Sequence, residues 1–194
     1  DAAHRFGRNF GERNRIPVYF YGEAALDPRR RELPDVRKGE YEALRTHFEN
    51  PQWIPDAGPA FFNPRGGATA VGAREPLIAF NINLATHDLR VAKEIASAIR
   101  QSGGGLQHVR AIGVPLNSRN VVQVAMNLTN YRVTSLKKVF DAVKNKASQY
   151  NISVLESELI GLIPEDALAG VSAEYLQLSK FRTESIIETH LVSF

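Results

Sequence analysis

Between residues 76 and 162 the hydrophobic period switches between two and about 3.6 in a fixed order, and this constrains the chain more than any other feature. Residues 76–84 alternate as a strand, with Ile78, Phe80, Ile82 and Leu84 on one side and Ala79, Asn81 and Asn83 on the other. Residues 88–101 read as a helix. It starts around Thr86, His87 and Asp88, buries Leu89, Ala92, Ile95, Ala96 and Ile99, and stops at Gly103-Gly104-Gly105. Strands at 109–116 and 121–129 flank the turn Asn117-Ser118-Arg119-Asn120. A helix over 134–150 presents Leu136, Val139, Phe140, Val143 and Ala147 on one face, and 153–162 is a last strand.

The order β-α-β-β-α-β predicts an α+β fold, a ferredoxin-like plait whose four-stranded antiparallel sheet carries both helices on one face. Its first and third strands are then central neighbours. The helix-free face holds Asn81, Asn83, Gln123, Asn127, Glu156 and Glu158, with Leu155 and Leu159 pointing the opposite way. Asparagine is depleted in strands. Three on two central strands read as donors and acceptors set for a polar ligand or another domain. An RNA-binding sheet face would carry aromatic rings, and none fall here.

The first 75 residues are less regular. Residues 2–12 form a short helical face of Ala3, Phe6, Gly7 and Phe10 with no capping residue before it, and 16–21 read as a strand. Residues 29–35, flanked by Pro28 and holding Pro34, read as a loop, and 38–48 as a helix through Tyr41, Leu44 and Phe48. Residues 50–67 hold four prolines and three glycines, so neither helix nor strand is expected there. A loop of that length inside a compact fold is usually functional, and Trp53, Phe61 and Phe62 can anchor it. Near the C-terminus, Pro164-Glu165-Asp166 opens a short helix, and 173–178 and 183–192 read as helical pieces.

Composition removes whole classes of chemistry. With no cysteine, disulfides, thiolate metal sites and cysteine catalysis are excluded. No apolar run approaches the roughly 18 residues of a membrane span, and no phosphate-binding glycine motif follows a strand. His4, His47, His87, His108 and His190 have no metal-ligand spacing, so no metal is expected. A net charge of +3 does not argue for nucleic acid, but Arg5, Arg8, Arg13, Arg15, Arg29, Arg30, Arg31, Arg37 and Lys38 crowd the first 40 residues and can attract an anionic ligand. The chain starts at Asp1 without a methionine or a secretion signal, and so reads as processed or as a piece of something longer.

Several ordered segments resemble one family. They are Val18-Tyr19-Phe20-Tyr21-Gly22, Arg37-Lys38-Gly39-Glu40-Tyr41-Glu42, Pro55-Asp56-Ala57-Gly58-Pro59 and Gly67-Ala68-Thr69-Ala70-Val71-Gly72-Ala73-Arg74. Leu77-Ile78-Ala79-Phe80-Asn81-Ile82-Asn83-Leu84, Gln123-Val124-Ala125-Met126-Asn127-Leu128 and Ser157-Glu158-Leu159-Ile160-Gly161-Leu162-Ile163-Pro164 continue the series. Together they are similar to the glutamate formimidoyltransferase family, found alone or as half of formiminotransferase-cyclodeaminase. The resemblance implies two α/β subdomains with folate between them. Residues 1–72 would then be an incomplete N-terminal subdomain, and 73–194 the C-terminal one. It implies that Gly58-Pro59-Ala60-Phe61-Phe62-Asn63-Pro64-Arg65-Gly66-Gly67 is the folate loop, joined by Arg74, Asn81 and Asn83. Aromatic rings suit the pterin or aminobenzoyl ring, Arg65 suits a folate carboxylate, and glycine N–H groups suit pterin acceptors.

The implied reaction moves a formimino group from N-formimino-L-glutamate to tetrahydrofolate, a co-substrate, in histidine degradation and one-carbon metabolism. The family's catalytic histidine lies in a His-Pro-containing motif that none of these five histidines occupies, so the catalytic residue is unassigned. Expected partners are folate, formiminoglutamate, the missing N-terminal segment and a possible second copy of the chain, in the cytoplasm, with no nucleic acid and no membrane. The alternative is a truncated paralogue acting as a non-catalytic folate-binding or domain-packing module.

Overall fold

A computed structural model describes residues 1–191, which fall into two compact units, Asp1–Arg74 and the part from Glu75 onward. Both contain helices and strands, an α+β arrangement with one parallel and one antiparallel sheet. Among the described residues no helix is long and apolar enough to cross a membrane.

In the first unit, helix α1 (Ala2–Asn14) starts at Asp1 with no side-chain capping bond. Strand β1 (Val18–Gly22) follows and pairs in parallel with β2 (Thr69–Ala73), Val18 opposite Thr69. Parallel pairing needs a long crossover. Here the connection carries α2 (Leu33–Val36), α3 (Glu40–His47) and the breaker-rich loop. Strand β2 is not apparent in the sequence, because Thr-Ala-Val-Gly-Ala has little strand propensity of its own. Two expected loops contain helical turns. Residues 28–36 form a 3-10 turn, Pro28–Arg30, and then α2, each with proline in its first turn, where a missing N–H costs nothing. The 50–67 stretch opens with a 3-10 turn, Pro51–Trp53, capped by the Asn50 side chain. The core is small: Val18, Phe20 and Ala24 are buried, and Ala3, Phe10, Ala57 and Val71 pack against them.

In the second unit, β3 (Ile78–Leu84), α4 (Leu89–Ile99), β4 (Val109–Leu116), β5 (Val121–Leu128), α5 (Leu136–Ser148) and β6 (Val154–Ile160) follow in order. The sheet order is β4-β5-β3-β6, and every neighbouring pair is antiparallel. Asp88 caps α4 by accepting from Arg90 N, and Ser135 caps α5 by accepting from Lys138 N. Ala92, Ile95, Ala96 and Ile99 of α4 and Leu136, Val139, Phe140, Val143 and Ala147 of α5 enter one core with Ile78, Phe80, Ile82 and Leu84. Each large buried side chain contributes roughly 1.5–3 kcal/mol. Gly113 lets α4 lie close on β4: a Cβ there would sit 2.5 Å from Lys93 N.

Two expectations fail in this unit. Strand alternation placed Leu155 with Leu159, but Asn83 pairs with Glu156 while Leu84 pairs with Val154. Leu155 is the extra residue of a bulge and is turned out, 46% exposed, while Val154 packs on the core. Residues 173–178 form turns rather than a helix; Leu176 is fully buried, and Gln177 O accepts from Ser157 N at 2.9 Å, which fastens the segment to the outer edge of β6. Residues 183–190 form two 3-10 turns, Thr183–Ser185 and Ile187–His190, and the expected end at Val192 lies outside the described residues.

Candidate functional site

The 58–67 loop is held in shape by its own side chains and by α1. Gly58 has φ +73°, and a Cβ on it would lie 2.4 Å from Ile16 O, so only glycine fits where the loop crosses behind α1. Asn63 anchors the tip. Its Oδ1 accepts from Arg65 N (3.0 Å) and Gly66 N (2.8 Å), its carbonyl accepts from Gly67 N (2.8 Å), and its Nδ2 donates to Arg15 O (3.1 Å). The N–H groups of Gly66 and Gly67 are therefore spent inside the loop, contrary to the expectation that they are exposed for a ligand.

The tip forms one wall of a cleft of about 360 Å³ in the first unit. Arg65, Gly66 and Gly67 line it from the loop, Tyr19 from β1, and Tyr41 from α3. That size lies within the usual range for small-molecule sites. Tyr41 donates from its hydroxyl to Pro64 O at 2.8 Å, and Arg45 lies 5.0 Å over the Phe62 ring, so α3 clamps the loop. Arg37 and Glu40, an ion pair at 2.9 Å, also face the cleft. The Arg65 guanidinium has no partner among the described residues, although its backbone N–H is used. Phe61 stays 48% exposed.

Tyr19 anchors the back of the cleft. Its hydroxyl donates to Trp53 O at 2.7 Å, Arg30 lies 5.4 Å from its ring centre, and burial pushes its pKa up to about 12. Arg30 in turn pairs with Asp56 at 3.2 Å, and Asp56 also accepts from Phe20 N at 2.7 Å. Sequence reasoning missed Tyr19 and Tyr41 as lining residues because it took the first as strand filler and the second as helix core. A tyrosine combines an apolar ring with a polar tip and suits such boundaries, and that was the available signal.

The remaining predicted residues are placed elsewhere. Pro59 and Ala60 lead from Gly58 towards the tip, and Arg74 follows β2, exposed. Asn81 and Asn83 belong to the second unit. Asn81 Oδ1 accepts from Met126 N at 3.2 Å. Asn83 is fully buried and saturated: Nδ2 donates to Glu156 (3.1 Å) and Glu158 (3.2 Å), and Oδ1 accepts from Gln123 at 2.8 Å. Gln123 also donates to Glu158, and Arg119 pairs with both carboxylates. The polar sheet face is thus an internally bonded network at this end rather than a row of open amides.

Three of the five histidines are held by ring contacts among the described residues, and His87 is exposed. His4 Nε2 is bonded to Ala24 O and His190 Nε2 to Glu184 O. His47 stacks on Trp53 at 3.8 Å, and burial together with the Lys38 charge lowers its pKa. Among the described residues no group of three or more His, Asp or Glu side chains could hold a metal ion.

The first unit thus carries a cleft walled by a glycine- and aromatic-rich loop, and it is followed by a second unit with a four-stranded antiparallel sheet and a polar network. Residues 1–74 match the model of the formiminotransferase domain, N-terminal subdomain, and residues 79–193 match that of the formiminotransferase domain. The chain belongs to the formiminotransferase family. It is 42% identical over 191 residues to the glutamate formimidoyltransferase of Streptococcus pyogenes serotype M1, covering 98% of this chain and 62% of that protein. The identity is also 42% with the glutamate formimidoyltransferase of Thermoplasma acidophilum, over 96% of this chain and 62% of that protein. With the formimidoyltransferase-cyclodeaminase of Mus musculus it is 42% over 92% of this chain and 34% of that protein. The chain therefore spans less than two thirds of the length of these relatives.

Proposed function

We propose that this chain supplies the folate-binding part of a formimidoyltransferase, which moves the formimino group of N-formimino-L-glutamate to N5 of tetrahydrofolate. The observation that carries the reading is the Arg65 guanidinium, unpartnered among the described residues, beside a cleft walled by tyrosine rings and the loop tip. A folate carries carboxylates for Arg65 and flat rings for the tyrosines. In the reaction N5 attacks the formimino carbon, the bond from that carbon to the glutamate nitrogen breaks, N5 loses a proton and the departing nitrogen gains one. Such a transfer calls for a group that titrates near neutrality, and we assign that role to no residue of this chain.

The finer reading of the fold belongs here too. The sheet order β4-β5-β3-β6 and a shared core for α4 and α5 support a ferredoxin-like plait over 73–194, preceded by an N-terminal subdomain over 1–72. The setting we propose is cytoplasmic histidine degradation and one-carbon metabolism, with the rest of the family's N-terminal subdomain as partner.

The test is calorimetric titration of the chain with folinate, a stable reduced folate. Binding is expected, and Arg65→Ala should weaken it by about 1.5–3 kcal/mol, roughly ten- to a hundredfold. Equal affinity for both proteins removes Arg65 from the site. No binding to either overturns the reading of the cleft.

A further inference from the structure

A second cleft, of about 540 Å³, opens in the first unit on the other side of the 37–40 turn. Arg37 and Glu40 face the cleft described above, whereas Lys38 and Gly39 face this one. Arg29, Arg30, His47 and Trp53 continue its wall, which also carries the carboxylates of Asp27 and Asp35, so its cations outnumber its carboxylates by one.

The charges in this wall are unevenly satisfied. Arg29 is paired with Asp27 through Nε and Nη2, with contacts of 2.6–3.1 Å. Arg30 spends Nη1 on Asp56 and on Ile54 O and places Nη2 3.6 Å from Asp27, but its Nε is buried with no acceptor. The Lys38 backbone N–H donates to Asp35 O, but its ammonium has no ion-pair or hydrogen-bond partner among the described residues. The His47 ring lies parallel to the Trp53 indole, 7° apart, and its Nδ1 is buried without a partner. A buried polar group left unmatched costs free energy, and two around one cavity, beside an unpaired ammonium, mark a place where a ligand supplies the missing partner.

We infer that this cleft binds a small molecule bearing an oxyanion, a carboxylate or a phosphate, with Lys38 as its principal cation and Arg30 and His47 beside it. A cationic ligand would meet Lys38 and Arg30 at close range, and an apolar one would leave their donors unpaired. An oxyanion accepts several hydrogen bonds at once and matches the charge of Lys38. The site is separate from the folate cleft and does not depend on the transferase reading.

Trp53 is the chain's single tryptophan and lines this cleft, so its fluorescence follows binding here, and because it also touches Tyr19 of the first cleft the Arg65→Ala variant separates the two sites. The chain would be titrated with sodium phosphate and, separately, with disodium glutarate, each exchanged against sodium chloride to hold ionic strength constant. At least one anion is expected to change Trp53 emission saturably in the millimolar range or below. A response to phosphate alone assigns a phosphate ligand, one to glutarate alone a carboxylate, and one to both an unselective oxyanion site. Lys38→Ala and Lys38→Gln, both at an exposed position, should each raise the midpoint about tenfold or more, while Arg65→Ala in the other cleft should leave it in place. Flat emission with both anions, or a midpoint that neither Lys38 variant moves, overturns the inference.

Discussion

Gln123 donates from Nε2 to Asn83 Oδ1 at 2.8 Å in the middle of the second unit's sheet, where both side chains are buried. This bond joins neighbouring strands β5 and β3, whose paired residues here are Asn83 and Gln123 themselves. Asn83 then passes both its amide protons to Glu156 and Glu158 on β6. One asparagine therefore organises three strands and shares with Arg119 the work of holding two carboxylates side by side.

Replacing Asn83 by leucine should destabilise the second unit by about 2–4 kcal/mol, since it removes one of the two acceptors of Gln123 and leaves two partly buried carboxylates short of donors. Asn127→Leu, on the same face but exposed, should stay within about 0.5 kcal/mol of the parent. Urea unfolding of both variants measures the difference. Equal stability of the two would mean that the network contributes nothing.

The bulge in β6 makes a second pair of variants diagnostic. Val154→Ala removes side-chain volume packed on the core and should cost about 1–2 kcal/mol. Leu155→Ala should change stability by less than about 0.5 kcal/mol, because its side chain is turned out. Thermal unfolding would show the reverse ranking if the strand ran in regular register.

Acid should loosen the same sheet. Hydrogen bonds from Arg119, and less strongly from Asn83 and Ser179, hold the Glu156 carboxyl below the usual carboxylate range. A carboxyl with a depressed folded pKa adds stability above its unfolded value of about 4.3. That contribution is lost as pH falls through the lower folded value. Arg119→Ala should therefore flatten, though not abolish, the fall in melting temperature from about pH 6 to about pH 3. A residual slope should remain from Asp88 and Asp141, which are also held low by their own basic partners. An unchanged profile in the variant would show that Glu156 is not coupled to Arg119 in solution.

The second unit was legible where local signals were strong. Asp88 and Ser135 are capping residues, and the apolar stripes of α4 and α5 have helical spacing, so those helices were read within a few residues of their ends. Strand β2 was not legible, because its five residues become a strand only through pairing with β1, 51 positions earlier at the Val18–Thr69 pair. The Leu155 bulge was hidden for a similar reason: strict alternation gives no hint of a one-residue slip.

For the candidate site, the breaker-rich run and its aromatics mark residues 50–67 as a functional loop, the resemblance to the family narrows it to 58–67, and the family's segments are readable in order along the chain. The amino-acid sequence by itself thus determined the order of strands and helices in the second unit, the α+β class and the family, because each is carried by residues close together in the chain. The tertiary structure decided which of those residues keep a free hand. Asn63 consumes the glycine N–H groups, Asn83 disappears into a network spanning three strands, and Arg65 is left without a partner among the described residues. Hydrogen-bond supply is settled between residues far apart in sequence, and no local pattern records it.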